Sequence, residues 1–265
     1  MDVGIVGLGV VGKAVQAGLA KVGNKISVHD LKLQTSIKDV VGTKIIFICV
    51  PTPQSDDGSC DTKNVEDVLA DLSRLDYKGI VAIKSTVEIG FTNTMIQNFK
   101  NLTICFVPEF LRERCAEYDF IENHNVLAVG TSDPWVFNAV CETHSNLPKN
   151  TVQLTTTEAE ILKYYNNVFA ATKIVFANVI NEICEKTNSD YSEVKKAFIK
   201  TGRAKDSYLD VNPNLKGYGG MCLPKDVKAV IKVLKKLNLD FSLFDAIDND
   251  NKKLKTTVFN GMRKE

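Results

Sequence analysis

The sequence lacks both an apolar run long enough to cross a membrane and an excess of charge of either sign. Its apolar stretch at 44–50 has the length of one buried strand, whereas a membrane-spanning helix needs about 20 apolar residues. The 33 basic and 32 acidic side chains almost cancel, which argues against nucleic acid or a membrane as the main partner. Any binding of phosphate must therefore be local.

The sequence also lacks paired cysteine spacings and an N-terminal secretion signal. Its seven cysteines are scattered and odd in number, and none stands in a CxxC pair. We therefore expect no metal site, and a reduced, cytoplasmic protein. With 44% apolar residues among 265, the chain can bury a substantial core.

Short β-rich apolar runs alternate with helical patterns over residues 1–152. Apolar runs of this kind are typical of parallel strands buried on both faces. Their alternation with helices predicts a Rossmann-type, doubly wound parallel sheet of the α/β class, whose ligands bind beyond the carboxyl ends of the strands. The predicted strands are 2–6, 25–29, 44–50, 79–84, 103–107 and 125–129.

Residues 153–265 have helical patterns instead, which predict an all-α second domain. Helices are expected at 157–185, 192–201, 224–237 and from 242 onward. Thr157 followed by Glu160 fits a capping box at the start of the first of these helices. That helix is apolar and longer than so small a domain needs for its own core. We therefore expect its surplus apolar face to form the contact of a homodimer.

Gly7, Gly9 and Gly12 form a GxGxxG motif that follows the first predicted strand and opens a helical pattern. Glycines at these positions let the backbone turn tightly and approach a pyrophosphate at the helix N-terminus. Asp30 ends the second strand, where a carboxylate can bind a ribose 2′-hydroxyl and repel the additional phosphate of NADP. The pattern predicts NAD as the cofactor. The alternative is that the glycines serve only helix–strand packing and that Asp30 is a solvated strand end.

Four further motifs follow in order: CVPTP at 49–53, KSTV at 84–87, PEFLRE at 108–113 and GYGGMCLPKD at 217–226. With the glycine motif, they resemble the UDP-glucose/GDP-mannose dehydrogenase family from residue 2 to about residue 251. The resemblance implies NAD-dependent oxidation of the C6 alcohol of a nucleotide sugar, such as UDP-glucose, to the uronic acid. Members of that family continue into a third, nucleotide-binding domain. We therefore expect a short form that binds its sugar nucleotide weakly.

Cys222 follows two glycines and precedes Pro224, with Lys225 and Asp226 close by, which predicts a position at a helix start. A helix N-terminus and a nearby lysine both favour a thiolate. An aldehyde intermediate donates hydride only after a nucleophile has added to its carbonyl. A Cys222 thiolate would form a thiohemiacetal and then a thioester that water hydrolyses, with two NAD consumed. Ordinary core roles are expected for the cysteines in apolar patterns, Cys49, Cys105 and Cys184.

Lys163 and Asn167 are four positions apart on the first helix of the second domain. They share one helix face and can converge on one substrate oxygen. An ammonium and an amide in that position would stabilise an alkoxide or the oxyanion of a thiohemiacetal, which is the role that the resemblance implies for both. The alternative is an ordinary exposed helix face.

The resemblance also assigns the remaining site residues. It implies that Glu113, with Thr86 and Asp226, holds or activates the water that hydrolyses the thioester. Besides the glycines and Asp30, the implied cofactor contacts are Thr52, Thr86, Glu113 and Lys225. The implied substrate contacts are Glu109, Phe110, Leu111, Arg112, Lys163, Asn167, Arg203, Tyr208 and Gly219. For Glu109 and Arg112 a purely structural ion-pair role stays open.

Three positions depart from the family pattern: Val107 stands where asparagine is frequent, Arg114 where a small residue is usual, and Met221 where serine is common. None of them removes a chemical group that the mechanism needs. Two other functions stay open. One is a one-step dehydrogenase of the β-hydroxyacid type, which shares the Lys-xxx-Asn pair but needs no thiol. The other is a non-catalytic protein that binds NAD or a nucleotide sugar.

Overall fold

A computed structural model describes residues 1–55 and 58–254. Its contacts divide the chain into two compact units, Met1–Lys163 and a second unit that begins at Tyr164. The expected domains, 1–152 and 153–265, stay a prediction. Each unit is described separately below.

The first unit is built on one seven-stranded sheet, ordered β2-β1-β3-β4-β5-β6-β7. All neighbouring strands are parallel except β5 and β6, which are antiparallel. The expected α/β fold is therefore confirmed. The strands are β1 (Asp2–Val6), β2 (Lys25–His29), β3 (Ile45–Ile48), β4 (Ile80–Ile83), β5 (Thr103–Phe106), β6 (Leu127–Gly130) and β7 (Thr151–Leu154).

Helices cover both faces of this sheet. One core lies between the sheet and α1, α4 and α5, and Phe47 and Phe120 are among its largest buried side chains. The other core lies between the sheet and α2 and α3, with Leu69 and Met95 among its members. Both central strands β3 and β4 are therefore buried on both faces, as their apolar runs predict. The helices are α1 (Val10–Lys21), α2 (Lys63–Arg74), α3 (Phe91–Asn98), α4 (Ala116–Ile121) and α5 (Pro134–His144).

Three details of the predicted sheet are wrong. The strand predicted at 125–129 is β6, which runs antiparallel to β5 with Phe106 opposite Gly130. The strand predicted at 25–29 is β2, an edge strand that is only half-buried. The seventh strand, β7, was not predicted because its sequence, TVQL, alternates exposed and half-buried side chains instead of forming an apolar run.

The second unit is helical, as expected. Its core packs Val168, Ala171 and Val175 of the first helix against Val227 and Ile247. The predicted helices are confirmed to within one residue at their starts, and the predicted continuation of the last one beyond Leu254 lies outside the described residues. The helices are α6 (Thr156–Lys186), whose first turns belong to the first unit, α7 (Tyr191–Lys200), α8 (Leu223–Lys236) and α9 (Leu243–Lys253). None of the helices in the described ranges has the length and apolar character of a membrane span.

The capping box of α6 is formed by a different pair of residues from the predicted one. Thr155 and Glu158 make the two reciprocal bonds, at 2.8 and 3.2 Å. Thr157 instead accepts a hydrogen bond from the Asn93 side chain. The same Thr-xx-Glu spacing occurs at both positions, so the spacing alone does not determine the register.

Glu160 is fully buried and caps a different helix. Its carboxylate accepts the backbone N–H groups of Gly90 at 2.6 Å and Thr92 at 2.8 Å, at the start of α3. Burial raises the pKa of Glu160, and the hydrogen bonds from α3 oppose that rise. A carboxylate at a helix N-terminus satisfies N–H groups that have no partner within the helix. Glu160 therefore fastens α6 to the loop that follows β4.

Replacement of Glu160 should destabilise the protein more than replacement of its neighbour in the capping box. Glu160→Ala is expected to lower the free energy of unfolding by about 2–4 kcal/mol, because each buried N–H left without an acceptor costs about 1–3 kcal/mol. The control Glu158→Ala removes only an exposed cap and should cost clearly less, because water can replace the lost bond. Urea denaturation of the three proteins measures both changes, and an equal or smaller effect at Glu160 would contradict the assigned role.

Candidate active site

The GxGxxG turn has the geometry of a cradle for a ligand. Gly7 is left-handed, with φ of 92°, and a Cβ on Gly12 would lie 1.9 Å from the Gly7 carbonyl oxygen. These two glycines are therefore required by the turn itself. Gly9 caps α1, and a Cβ placed there would meet no protein atom within 4 Å. Its backbone faces open space at a helix N-terminus, which fits the pyrophosphate of a dinucleotide.

Asp30 is connected to this turn by hydrogen bonds. One carboxylate oxygen accepts the N–H of Leu8 at 2.6 Å, and the other accepts the N–H of Lys32 at 2.8 Å. The bond from Leu8 and then that from Lys32 lower the pKa of Asp30 below its ordinary value. The group is therefore an anion at neutral pH. It lies half-buried immediately after β2, as the cofactor prediction requires.

The loops after β3 and β4 bring Thr52 and Thr86 near the same thiol. Cys60 Sγ lies 3.1 Å from the carbonyl oxygen of Thr86 and 3.7 Å from that of Thr52. The hydroxyl of Ser85 also donates to the Val50 carbonyl at 2.7 Å, which joins the two loops directly. The motif matches do not identify Cys60 as part of this region, because its thiol reaches the threonines only after the chain has folded.

PEFLRE begins with a buried ion pair. Lys163 Nζ lies 2.7 Å from Oε1 of Glu109 and donates to the Glu109 carbonyl oxygen at 2.8 Å. The side chains are only 4% and 10% exposed. Burial alone would raise the pKa of Glu109, but Lys163, the Leu111 N–H and Lys84 together hold it below the ordinary value. The alternative of an ordinary exposed helix face at Lys163 is therefore excluded, and Glu109 is an anion that holds a lysine.

Arg112 has a structural partner that sequence reasoning missed. Its guanidinium binds both oxygens of Asp119, at 2.9 and 2.6 Å, and its backbone N–H also donates to that carboxylate. Burial would raise the pKa of Asp119, yet these bonds bring it to about 2. Phe110 and Leu111 are half-buried, and Leu111 packs against the core below α1. The PEFLRE loop is thus fixed by two ion pairs, one at Glu109 and one at Arg112.

Glu113 lines a shallow surface cavity of about 280 Å³ beside the start of α1. Val10 and Lys13 of α1 form one wall, and Arg114 forms part of the other. Glu113 is therefore close to the helix whose N-terminus forms the glycine cradle. Arg114 is the bulky residue that departs from the family pattern, and it lines the same cavity as Glu113.

In the second unit, Cys222 is the N-cap residue of α8, which confirms the predicted helix start. Its carbonyl oxygen accepts the N–H of Asp226 at 2.9 Å, the first bond of the helix, and Pro224 lies within the first turn. Cys222 is the exposed cysteine, whereas Cys49, Cys105 and Cys184 are buried. An exposed thiol at the positive end of a helix dipole is in an environment that favours the thiolate.

Asn167 and Asp226 form a buried pair in the same unit. The Asn167 amide donates to Oδ2 of Asp226 at 2.6 Å, and Lys225 Nζ lies 3.2 Å from Oδ1 of that carboxylate. Asp226 is 1% exposed. The structure therefore brings Asn167 of α6 together with the first turn of α8, four residues after Cys222.

The three other implied substrate contacts lie in the loop between α7 and α8. Arg203 is exposed, Gly219 is half-buried, and Tyr208 is exposed with a left-handed backbone, φ of 61°. Lys173 Nζ lies 5.1 Å from the centre of the Tyr208 ring and 4.9 Å from that of Phe169. Lys173 therefore lies near the rings of both Tyr208 and Phe169. The substrate role of Tyr208 stays a prediction.

Two sequence models of one family match the chain. The NAD binding domain of the UDP-glucose/GDP-mannose dehydrogenase family matches residues 26–147, and the central domain of that family matches residues 157–253. Together they cover most of the chain. The first match confirms the prediction of NAD as the cofactor, although it begins after the glycine turn.

Curated relatives include UDP-glucose 6-dehydrogenases. The chain is 32% identical to UDP-glucose 6-dehydrogenase of Bacillus subtilis (strain 168) over 227 residues, which cover 82% of this chain and 50% of the relative. It is 33% identical to UDP-glucose 6-dehydrogenase of Campylobacter jejuni over 218 residues, which cover 77% of this chain and 52% of that relative. The chain thus spans about half the length of the curated relatives it matches.

Solved structures share the fold. A UDP-glucose dehydrogenase from Pyrobaculum islandicum superposes with a TM-score of 0.85 at 25% identity, covering 95% of this chain and 68% of that one. A 3-hydroxyisobutyrate dehydrogenase from Mycobacterium tuberculosis superposes with a TM-score of 0.76 at 12% identity, covering 95% and 92%. The second likeness shows the fold alone, so the fold does not separate the four-electron and one-step reactions.

Asp30 should make the protein prefer NAD to NADP. In Asp30→Asn the acceptor for the Leu8 N–H is kept while the charge is lost, so the preference should fall by about tenfold as one charge repulsion is removed. Fluorescence titrations with NADH and NADPH measure the ratio of dissociation constants. Asp2→Asn, an exposed change in β1, is the control. Tighter binding of NADPH by the unmodified protein, or an unchanged ratio in Asp30→Asn, would contradict the assignment.

Proposed function

Because the chain belongs to the UDP-glucose/GDP-mannose dehydrogenase family, we propose that it catalyses NAD-dependent oxidation of the C6 alcohol of a nucleotide sugar to the uronic acid. UDP-glucose is the first candidate substrate, since it is the substrate named for the matched relatives. When bound, NAD accepts a hydride in each of the two oxidations. The remaining steps are carried by side chains of this chain.

Cys222 is the proposed nucleophile. After the first oxidation, its thiolate attacks the C6 aldehyde and forms a carbon–sulfur bond, giving a thiohemiacetal. Loss of hydride from that carbon gives a thioester. Water then attacks the thioester carbon, the carbon–sulfur bond breaks, and the thiolate is regenerated with the carboxylate product. The overall reaction consumes one water and two NAD for each alcohol.

Lys163 and Asn167 are proposed to stabilise the C6 oxygen. They lie one turn apart on α6, and each is fixed by a buried carboxylate, Glu109 for the lysine and Asp226 for the amide. Donors held in place before the reaction stabilise a developing oxyanion without reorganisation. Glu113, Thr86 and Asp226 are proposed to hold the hydrolytic water, with Glu113 as the general base.

The observation that carries this proposal is the position of Cys222 at the N-terminus of α8, whose first turn also supplies Asp226 to the buried Asn167 amide. A one-step dehydrogenase of the β-hydroxyacid type would use the Lys163–Asn167 pair but would have no use for that thiol. A non-catalytic binding protein would need neither the Lys163–Asn167 pair nor the Cys222 thiol. The reaction stoichiometry separates the three: two, one or no NADH for each molecule of nucleotide sugar.

Replacement of the thiol should stop turnover without loss of cofactor binding. With NAD and a panel of UDP- and GDP-sugars, Cys222→Ser is expected to reduce steady-state NADH formation by at least about 1000-fold, as for other nucleophile replacements. At most, a slow oxidation of the alcohol to the aldehyde should remain. Cys141→Ser, at a half-buried thiol of α5, is the control. Two NADH per substrate from Cys222→Ser would contradict the mechanism, and no NADH from the unmodified chain with any sugar would contradict the activity.

We also propose that the chain forms a homodimer through α6. Six of its apolar side chains are exposed and spaced three, four or seven positions apart, so they form one stripe along the helix. The neighbouring side of the helix carries the buried Val168, Ala171 and Val175, which pack in the core of the second unit. An apolar stripe of this length beside a complete core is typical of a surface covered by another chain. The stripe consists of Ile161, Tyr165, Phe169, Phe176, Val179 and Ile183.

Charged replacements in this stripe should produce monomers. Light scattering at micromolar concentration is expected to give the mass of two chains for the unmodified protein. Phe176→Arg and Ile183→Arg should give the mass of one chain, because a buried unpaired charge opposes association. Leu75→Arg, at an exposed apolar position of the first unit, should remain dimeric. A monomeric unmodified protein would refute the dimer.

A further inference from the structure

The GYGG segment, residues 217–220, leads the chain into the proposed nucleophile Cys222. It begins with Gly217, whose backbone is left-handed with φ of 78°. The next residue, Tyr218, is only 5% exposed, although it belongs to neither a helix nor a strand. The backbone N–H and C=O groups of a buried loop residue need partners from elsewhere in the fold.

Asn251 of α9 provides a partner for both backbone groups of Tyr218. Its Oδ1 accepts the Tyr218 N–H at 2.7 Å, and its Nδ2 donates to the Tyr218 carbonyl oxygen at 3.0 Å. The reverse orientation of the amide would set donor against donor and oxygen against oxygen. One side chain thus makes the two hydrogen bonds that a residue of a neighbouring strand would make.

The contact leaves no room for a side chain at residue 217. A Cβ on Gly217 would lie 2.6 Å from Oδ1 of Asn251, and the left-handed backbone there also disfavours a residue with a Cβ. Ile247, one turn earlier on the same face of α9, is buried in the core that also contains Tyr218 and Val227. The packing of α9 therefore presents Asn251 to the GYGG segment.

Cys222 lies between two such anchors. Four residues before it, the Tyr218 backbone is bound by Asn251. Four residues after it, the Asp226 carboxylate is bound by the Asn167 amide. The turn between the anchors carries the exposed thiol into the start of α8. Both ends of this short segment are therefore fixed, while the thiol itself stays accessible.

We propose that Asn251 is a positioning residue, which holds the GYGG segment so that Cys222 keeps its place at the N-terminus of α8. Its part in the reaction rests on the proposed function. In this scheme Asn251 touches no reacting atom and acts through the Tyr218 backbone. A thiolate that must attack one carbon atom gains from a fixed approach, because a displacement of about 1 Å can cost about 100-fold in rate.

Alkylation of the thiol tests this placement without any turnover. With iodoacetamide at pH 7, Cys222 should be modified about two- to fivefold more slowly in Asn251→Ala than in the unmodified protein, the factor that a helix end contributes to the stabilisation of a charge. Peptide mass spectrometry measures the rate. Cys184, buried in α6 of the same unit, should stay unmodified and thereby report that the fold is kept. Asn249→Ala, at an exposed position of α9, should leave the Cys222 rate unchanged.

Asn251→Asp is the second variant. It keeps the acceptor for the Tyr218 N–H but replaces the donor to the Tyr218 carbonyl by a carboxylate oxygen. Alkylation of Cys222 should again be slower than in the unmodified protein. If Cys184 becomes reactive in Asn251→Ala, the rate in Asn251→Asp decides the question.

Gly217→Ala tests the contact independently. Its methyl group would meet Oδ1 of Asn251, so this change alone should slow the alkylation of Cys222. In the Asn251→Ala background that oxygen is gone. Adding Gly217→Ala there should cause a smaller further change, limited to the strain of the left-handed backbone, so the two effects should not add.

The turnover measurement examines the same role in the reaction. With NAD and a nucleotide sugar, Asn251→Ala should lower kcat by at least about tenfold. The KM for NAD should not change, because the glycine cradle belongs to the first unit. Asn249→Ala should keep the kcat of the unmodified protein.

These readouts keep the two proposals apart. If no nucleotide sugar yields NADH with the unmodified protein, the proposed function fails, whereas the alkylation rates still decide whether Asn251 positions the thiol. The inference is overturned by an unchanged Cys222 rate in Asn251→Ala with Cys184 protected, or by additive effects of Gly217→Ala and Asn251→Ala. Faster alkylation would also overturn it, since Asn251 would then shield the thiol. So would a full kcat in Asn251→Ala.

Discussion

The candidate site depends on the buried ion pair between Lys163 and Glu109. The lysine lies in the second turn of α6 and the glutamate follows β5, so the pair fastens the helix to the carboxyl edge of the sheet. Glu160, three positions earlier on α6, fastens the same helix to the start of α3. Because helix positions repeat every 3.6 residues, fixing these two side chains also fixes the rotation of α6 about its axis.

Buried charges of this kind follow a consistent pattern in the molecule. Asp119 has the guanidinium of Arg112, Glu160 has two backbone N–H groups, and Asp226 has an amide and a lysine. Removing either partner of such an arrangement leaves a desolvated charge, which costs more than the pair contributes. The charged contacts therefore specify one arrangement of the loops, whereas the apolar contacts of the two sheet faces provide most of the stability.

Features with a strong local signal are predictable from this sequence. The apolar runs of β3 and β4, the glycine turn and the helix start at Cys222 depend on nearest neighbours in the chain, and each is found where expected. The features that sequence reasoning missed depend on distant residues. The TVQL strand needs β6 as a partner, the direction of β6 depends on how the chain crosses to it, and Glu160 caps a helix about seventy positions away. The partners Glu109 and Asp119 likewise become apparent only from the folded loop, although the PEFLRE motif marks where to look.

The same residue type has different chemistry in different parts of this fold, and that difference supports the choice of nucleophile. Burial raises the pKa of Cys49 and Cys105 to about 12, so these thiols cannot supply a thiolate at neutral pH. Cys222 is exposed and caps a helix, where the dipole favours an anion. Burial thus argues against these two core thiols, whereas exposure and the helix end favour Cys222. A one-step oxidation would place no such requirement on any cysteine. The position of Cys222, more than the shared fold, therefore favours the four-electron reaction.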